Sequence, residues 1–252
     1  MIKVIISGCN GAMGQTLTKI AAGYDDVEIV AGFDITDSGC NNYAVYTDVS
    51  DLELSADVVV DFSHPAALEG VLEFAKRVRM PAVLATTGYE AHQITAIEDA
   101  SREIPIFRSA NMSLGINLMI DLIKKAVKVL GESFDIEVID RHHRQKLDAP
   151  SGTALMLADA INKERSGELK YVYDRHSERR KRDCGEIGIH SIRGGTIVGD
   201  HTVLFAGNNE LIEITHSAAS REVFAEGAIK ALRFMVGKAP GMYNMDDLIR
   251  AE

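Results

Sequence analysis

A chain of 252 residues is long enough for two domains, and 46 % hydrophobic against 25 % charged residues is the balance of an ordinary globular protein, which argues against disorder. A formal net charge of -10 argues against a nucleic-acid partner, and no run approaches the roughly 18 apolar residues of a membrane helix. Cys9, Cys40 and Cys184 are odd in number and widely spaced, which suits reduced thiols, and residues 1–6 enter an apolar strand with no cleavage signal, so a cytoplasmic protein is expected.

The first predicted strand, over residues 3–7, runs into Gly8-Cys9-Asn10-Gly11-Ala12-Met13-Gly14, which opens a helix from Ala12. Glycine there lets backbone amides approach a pyrophosphate, and a helix N-terminus favours its negative charge. The spacing is G-x-x-G-x-x-G, and by itself it fits a plain glycine turn equally well. The next strand, 27–33, changes the balance because it ends at Asp34, where a carboxylate accepts hydrogen bonds from ribose hydroxyls. Ile35 follows with no lysine or arginine adjacent, so NADH is expected in preference, with NADPH possible.

A strand over 58–62 leads to Ser63-His64-Pro65, where Ser63 is the natural cap of a helix from Ala66. A strand over 82–85 runs into Ala85-Thr86-Thr87-Gly88-Tyr89. Carboxyl ends of strands face the ligand crevice of a doubly wound sheet, so Thr86 and Thr87 either border a nicotinamide or cap a turn into a helix. A strand over 105–107 and an apolar helix over 117–130 follow. This alternation predicts an α/β protein with an N-terminal Rossmann-like doubly wound parallel sheet.

From Phe134 strands predominate, over 135–140, 186–192, 202–206 and 211–216, and Gly194-Gly195 and Gly207-Asn208-Asn209 are the expected hairpin turns. The second half is therefore expected to be an α+β domain with a mixed sheet. A last helix over 225–236 is expected to return to the first domain. Residues 1–112, completed by 221–252, then form a dinucleotide-binding domain, and 113–220 a substrate-binding and oligomerisation domain.

Between the 135–140 strand and a helix beginning near Ser151 or Gly152 lies Asp140-Arg141-His142-His143-Arg144-Gln145-Lys146-Leu147-Asp148-Ala149-Pro150-Ser151-Gly152-Thr153. A concentrated basic site in an acidic protein attracts an anion. Amides at the helix start, with the imidazoles and Lys146, would grip the carboxylates of a small diacid. A solvated basic loop is the plainer alternative. Consecutive residues of a strand diverge, and neither His-Glu-x-x-His nor a cysteine pair accompanies the histidines, so no metal is expected.

In family order, the first glycine loop, Thr86-Thr87-Gly88, Ser109-Ala110-Asn111-Met112-Ser113-Leu114-Gly115-Ile116-Asn117, the run from His142 to Thr153 and Arg193-Gly194-Gly195 resemble the 4-hydroxy-tetrahydrodipicolinate reductases, also called dihydrodipicolinate reductases, of lysine and diaminopimelate biosynthesis. The resemblance covers nearly the whole chain. It implies that His142 is the proton donor or acceptor, that Lys146 donates a second proton and binds carboxylate, and that His143, Ser151, Gly152 and Thr153 hold substrate. It implies a cofactor on Gly8, Cys9, Asn10, Gly11, Ala12, Met13, Asp34, Ala85, Thr86, Thr87, Ser109, Ala110, Asn111 and Met112, and a homotetramer. Ala85 stands where that family commonly has glycine, Met112 where an aromatic often lies, and Asp140 where glutamate is frequent. The implied reaction removes water from a hydroxylated ring and delivers hydride to the resulting imine. Arg141 and Arg144 are expected to disfavour the His142 imidazolium before substrate arrives. A related amino-acid or semialdehyde dehydrogenase, or a non-catalytic NADH-sensing protein, accounts less well for the histidine run.

Overall fold

The computed structural model describes residues 1–49 and 55–251. The chain divides into two compact units, Met1–Leu114 with Arg221–Glu252, and Gly115–Ser220. The first unit begins β1 (Ile2–Ser7), α1 (Ala12–Ala21), β2 (Val27–Phe33), β3 (Ala44–Tyr46), β4 (Val58–Asp61), α2 (Leu68–Val78), β5 (Ala82–Leu84), α3 (Ala91–Ala100) and β6 (Pro105–Arg108). The second unit carries α4 (Leu114–Leu130), β7 (Asp135–His142), α5 (Gly152–Glu164), β8 (Lys170–Val172), β9 (Glu186–Arg193), β10 (Gly199–Ala206) and β11 (Leu211–Ala218). The chain then returns to the first unit as α6 (Glu222–Met235), β12 (Gly241–Tyr243) and α7 (Met245–Ala251).

The first sheet is parallel throughout, in the order β12-β6-β5-β4-β1-β2-β3. A parallel sheet covered on both faces needs strands that are apolar on both, and β1 and β4 supply the runs Val4-Ile5-Ile6 and Val58-Val59-Val60. Val4, Ile6, Val58 and Val60 pack with Leu17 of α1 and Leu232 of α6, whereas the alternate residues Ile5 and Val59 pack with Val71 and Phe74 of α2. Strands β3 and β12, at the two ends of the strand order, are not among the strands expected from the sequence.

The second sheet is mixed, in the order β11-β10-β7-β9-β8. Strand β10 is antiparallel to β7 and β11, while β9 is parallel to β7 and β8. Helices α4 and α5 cover one face, where Ile120, Ile123, Leu157 and Ile161 meet Ile136, Val138, Val203 and Phe205. Burial alternates along β7, so Asp140 and His142 share the inward side with Ile136 and Val138.

Gly207-Asn208-Asn209 does turn the hairpin from β10 to β11. The hairpin expected at Gly194-Gly195 is not formed. Strands β9 and β10 lie on opposite sides of β7, and because β9 runs parallel to β7 the connecting glycines cross the carboxyl end of that strand. Gly194 N–H donates to the His142 carbonyl at 2.9 Å, and Arg144 N–H to that of Gly195 at 3.3 Å. The glycine pair thus fixes the strand end that carries the two histidines.

Candidate active site

In the first unit the chain leaves β1 through Gly8, whose φ of 76° favours glycine. A Cβ at that position would lie 2.8 Å from the Phe62 carbonyl oxygen, and one at Gly14 would collide with the Gly8 carbonyl oxygen. Helix α1 therefore approaches the sheet closely. Its first turn has neither a side-chain cap nor an acidic residue, which leaves the positive end of its dipole to an anionic ligand. Asp34 follows β2, accepting Asn10 N–H at 2.9 Å and Ile35 N–H at 2.8 Å.

Gly8, Asn10, Gly11 and Asp34 line one cleft of about 920 Å³, together with Thr47, Asp48 and Val49, which carry no motif that would single them out. No lysine or arginine is among its described lining residues. Cys9 lies beneath the loop, fully buried against Gly32, and burial followed by the nearby Asp34 carboxylate pushes its thiol up to about 11. Ala12 is exposed, and Met13 is half-buried against the core.

Ala85, Thr86 and Thr87 follow β5, and Ser109, Ala110, Asn111 and Met112 follow β6. They lie outside the wall of that cleft but at the same edge of the parallel sheet, two and three strands from β1. The Ala85 amide donates to the Asp61 carbonyl at 2.9 Å, Thr86 is buried, and Thr87 is exposed. Ser109 donates to the Asn111 carbonyl at 2.7 Å, and Ala110 is exposed. Met112 is 3 % exposed, with its side chain in the core and its carbonyl against Gly227 of α6. The expected cap at Ser63 is corrected. His64 caps the turn at Pro65–Ala67, its Nδ1 accepting Ala66 N–H at 3.2 Å, because Ser63 instead donates to the Asp61 carboxylate.

In the second unit the polar cluster is built around Asp140, which is fully buried. Its Oδ1 accepts Arg193 Nη1 at 2.9 Å, and its Oδ2 accepts Ser151 N–H at 2.7 Å. Burial alone would raise this carboxyl, but the hydrogen bonds from Arg193 and Ser151 override it and hold the group at about 2. Arg193 also reaches the Asp148 carbonyl at 2.7 Å, tying the loop before α5 to the end of β9. His142 Nδ1 lies 3.7 Å from Asp140 Oδ2, beyond hydrogen-bond reach.

Burial is the first cause that lowers the His142 pKa below its ordinary value, and Lys146 and Arg193 lower it further against the pull of Asp140 and Asp148. The expected source of that effect is therefore corrected. Arg141 occupies an outward position of β7, whereas Lys146 and Arg193 lie on the imidazole side.

Lys146 is held to Asp148 at 2.8 Å with 22 % of its side chain exposed. His143 is half-buried, and its carbonyl accepts Lys146 N–H at 3.1 Å. Ser151 caps α5, its hydroxyl accepting Ala154 N–H at 3.1 Å, and the first turn of α5 holds no acidic residue. Gly152 is exposed with open space where a Cβ would stand, and Thr153 beside it is half-buried. The run from His142 to Thr153 thus folds back on itself, bringing an imidazole, an ammonium and a helix start into one unit.

Sequence reasoning missed His201. Its ring meets that of His142 edge to face at 5.2 Å, and burial pushes its pKa down to about 4. The signal was a polar residue in phase with Val203 and Phe205 on an alternating strand. Asp140, His142 and His201 offer ligand atoms within 4.8 Å of one another. Arg193 already neutralises the one carboxylate and stands beside it, so the cluster presents no net negative charge to a cation.

Residues 2–112 match the family model for dihydrodipicolinate reductase, N-terminus, and residues 115–249 that for dihydrodipicolinate reductase, C-terminus. The chain is 51 % identical over 250 residues to a 4-hydroxy-tetrahydrodipicolinate reductase of Caldanaerobacter subterraneus, covering 99 % of each. It is 48 % identical to that of Clostridium tetani, over 100 % of this chain and 98 % of the relative. Among solved structures it is similar to a dipicolinate-bound dihydrodipicolinate reductase from a Paenisporosarcina species, with a TM-score of 0.81 at 24 % identity over 97 % of both chains, a likeness of fold. Because the two family models together span nearly all of the chain, it belongs to the dihydrodipicolinate reductase family.

Proposed function

We propose that this protein is an NAD(P)H-dependent reductase that converts 4-hydroxy-tetrahydrodipicolinate, with loss of water, to tetrahydrodipicolinate in lysine and diaminopimelate biosynthesis, and that it prefers NADH. The observation that carries the reading is the buried His142 beside Lys146 and the start of α5, an acid and a carboxylate grip in one fold-back.

The first unit fits a dinucleotide. The positive φ at Gly8 and the absent Cβ atoms at Gly8 and Gly14 bring backbone amides to the start of an uncapped helix, where Gly11, Ala12 and Met13 would hold the pyrophosphate. Asp34 would accept ribose hydroxyls, and together with Asp48 it would repel a 2′-phosphate that no lysine or arginine among the cleft's described lining residues offsets. We assign Ala85, Thr86, Thr87 and residues 109–112 to the nicotinamide side because they end neighbouring strands of the same sheet. Bound NADH supplies the hydride.

The protein's own groups manage charge. Lys146 exchanges Asp148 for a substrate carboxylate, and the first turn of α5 receives another, with His143 assigned to substrate by the family resemblance. Each arriving carboxylate offsets the cations that keep His142 neutral, so its pKa rises and it takes up the proton that quenches charge on the reduced ring. The substrate thereby recruits its own acid.

We further propose a cytoplasmic homotetramer, which the resemblance implies; β11, at the edge of the second sheet, exposes Leu211 and Ile212 to a second copy. No helix among the described residues is long and apolar enough to cross a membrane.

One assay tests the reading: oxidation of NADH and of NADPH by the same preparation on adding freshly generated hydroxytetrahydrodipicolinate, aspartate semialdehyde or oxaloacetate. Turnover of the first alone is expected, with kcat/KM about tenfold higher for NADH, the weight of one uncompensated charge contact of about 1.4 kcal/mol. Turnover of a semialdehyde or oxo acid instead would replace the substrate assignment, and equal use of both cofactors would remove the role given to Asp34.

A further inference from the structure

We infer that His201 is a positioning residue for proton transfer, joining the His142 imidazole to the start of α5 through one ring contact and one hydrogen bond. The inference deepens the proposed reaction and rests on His142 being its acid.

Strands β7 and β10 are in register with His201 opposite Asp140, so the side chain enters the cluster from the strand next to that of His142. The two rings meet at an interplanar angle of 71° with centroids 5.2 Å apart, an edge-to-face geometry that resists rotation of either ring. On its other side His201 Nε2 lies 3.1 Å from the Ser151 hydroxyl, the same oxygen that caps α5 by accepting Ala154 N–H. A hydroxyl has one proton and two lone pairs, enough for both partners. A leucine or phenylalanine would fill the space but could not hold Ser151. A glutamine could hold Ser151 but presents no ring to His142. Histidine alone among residues of this size does both.

The charges around the pair favour this role. The charges that act on His201 are those of His142, Asp140, His216 and Asp200, and those that act on His142 are Asp140, Lys146, Arg193 and Asp148. Burial, then the neighbouring imidazoles, push the His201 pKa down to about 4, which favours its neutral ring near pH 7. It supports the ring without adding a charge that would oppose the imidazolium. A carboxylate seated on the first turn of α5 bears on Ser151, and through His201 on the orientation of the acid.

Two substitutions separate the two contacts. His201→Phe keeps a ring and loses the hydrogen bond, so KM for the dicarboxylate should rise about tenfold with kcat within about twofold of the parent. His201→Gln keeps a partner for Ser151 and loses the ring, so kcat should fall about tenfold and the basic limb of its pH profile should move to higher pH as water reaches His142. NMR titration of the His142 imidazole in the ligand-free protein should show its midpoint moving upward in the glutamine variant and staying in place in the phenylalanine variant. Parent-like kinetics and titration in both variants would overturn the inference. So would equal losses in both with a lowered melting temperature and an unmoved His142 midpoint, the mark of lost packing alone. The NMR midpoint is read without turnover, so a parent protein inactive on the expected substrate would defeat the reaction assignment while leaving the positioning role measurable.

Discussion

A buried imidazole becomes an acid only when something charges it, and the surroundings of His142 withhold that charge until an anion arrives. Burial and the cations Lys146 and Arg193 depress its pKa. His142→Gln should therefore lower kcat by about 10²–10⁴-fold and abolish the limb of the pH profile that falls as the acid deprotonates; a variant with the parent's rate and pH dependence would show that His142 is not the acid. Asp140 has the opposite character. Its folded pKa of about 2 lies below the ordinary 3.8, so the stability it contributes is fully present above 3.8 and is lost as pH falls from there to about 2. Asp140→Asn leaves the Arg193 guanidinium without its counter-charge, and a loss of about 3–5 kcal/mol at neutral pH is expected, together with a flatter acid limb in urea unfolding against pH. Unchanged neutral stability would show that Arg193 finds another partner.

At the scale of elements, the start of α5 serves structure and binding with the same atoms. Ser151 caps the helix through its hydroxyl and anchors Asp140 through its amide. Ser151→Ala should cost about 1 kcal/mol as a lost cap and raise KM for the dicarboxylate, since the first turn that receives it loses its anchor to His201. Thermal unfolding and steady-state kinetics on the same sample would separate the two effects, and a raised KM with no loss of stability would mean that Ser151 does not hold the helix. The connection from β9 to β10 also joins structure to site: glycines that read as a hairpin turn instead cross the end of β7 and bond to the backbone of His142 and Arg144. Local turn propensity was satisfied either way. Only the insertion of β7 between the two strands decided which.

At the scale of the molecule, the first unit is completed by a segment more than a hundred residues away in sequence, 221–252. Helix α6 lies so close to the 109–114 stretch that a Cβ on Gly227 would collide with the Met112 carbonyl. Gly227→Ala should destabilise the first unit by about 1–3 kcal/mol and weaken NADH binding by shifting the loop after β6, measured by urea unfolding and fluorescence titration. Full stability with parental affinity would mean that this contact relaxes without consequence.

Legible in the chain alone were the alternation of apolar strands and helices that makes one half a parallel sheet, the glycine loop whose spacing needs missing side chains, and the histidine run from His142 to Thr153. These are local properties: residue period, backbone freedom and a contiguous chain of charges. The tertiary structure decided what no local pattern encodes. It brought His201 and Arg193 from β10 and β9 to His142 at the end of β7, set Asp140 between them, made burial with Lys146 and Arg193 the leading causes that lower the pKa of the acid, and put Met112 in the core. Each depends on strand order, and strand order follows from how distant apolar faces cover one another, a free energy shared across the whole fold rather than held in any one segment.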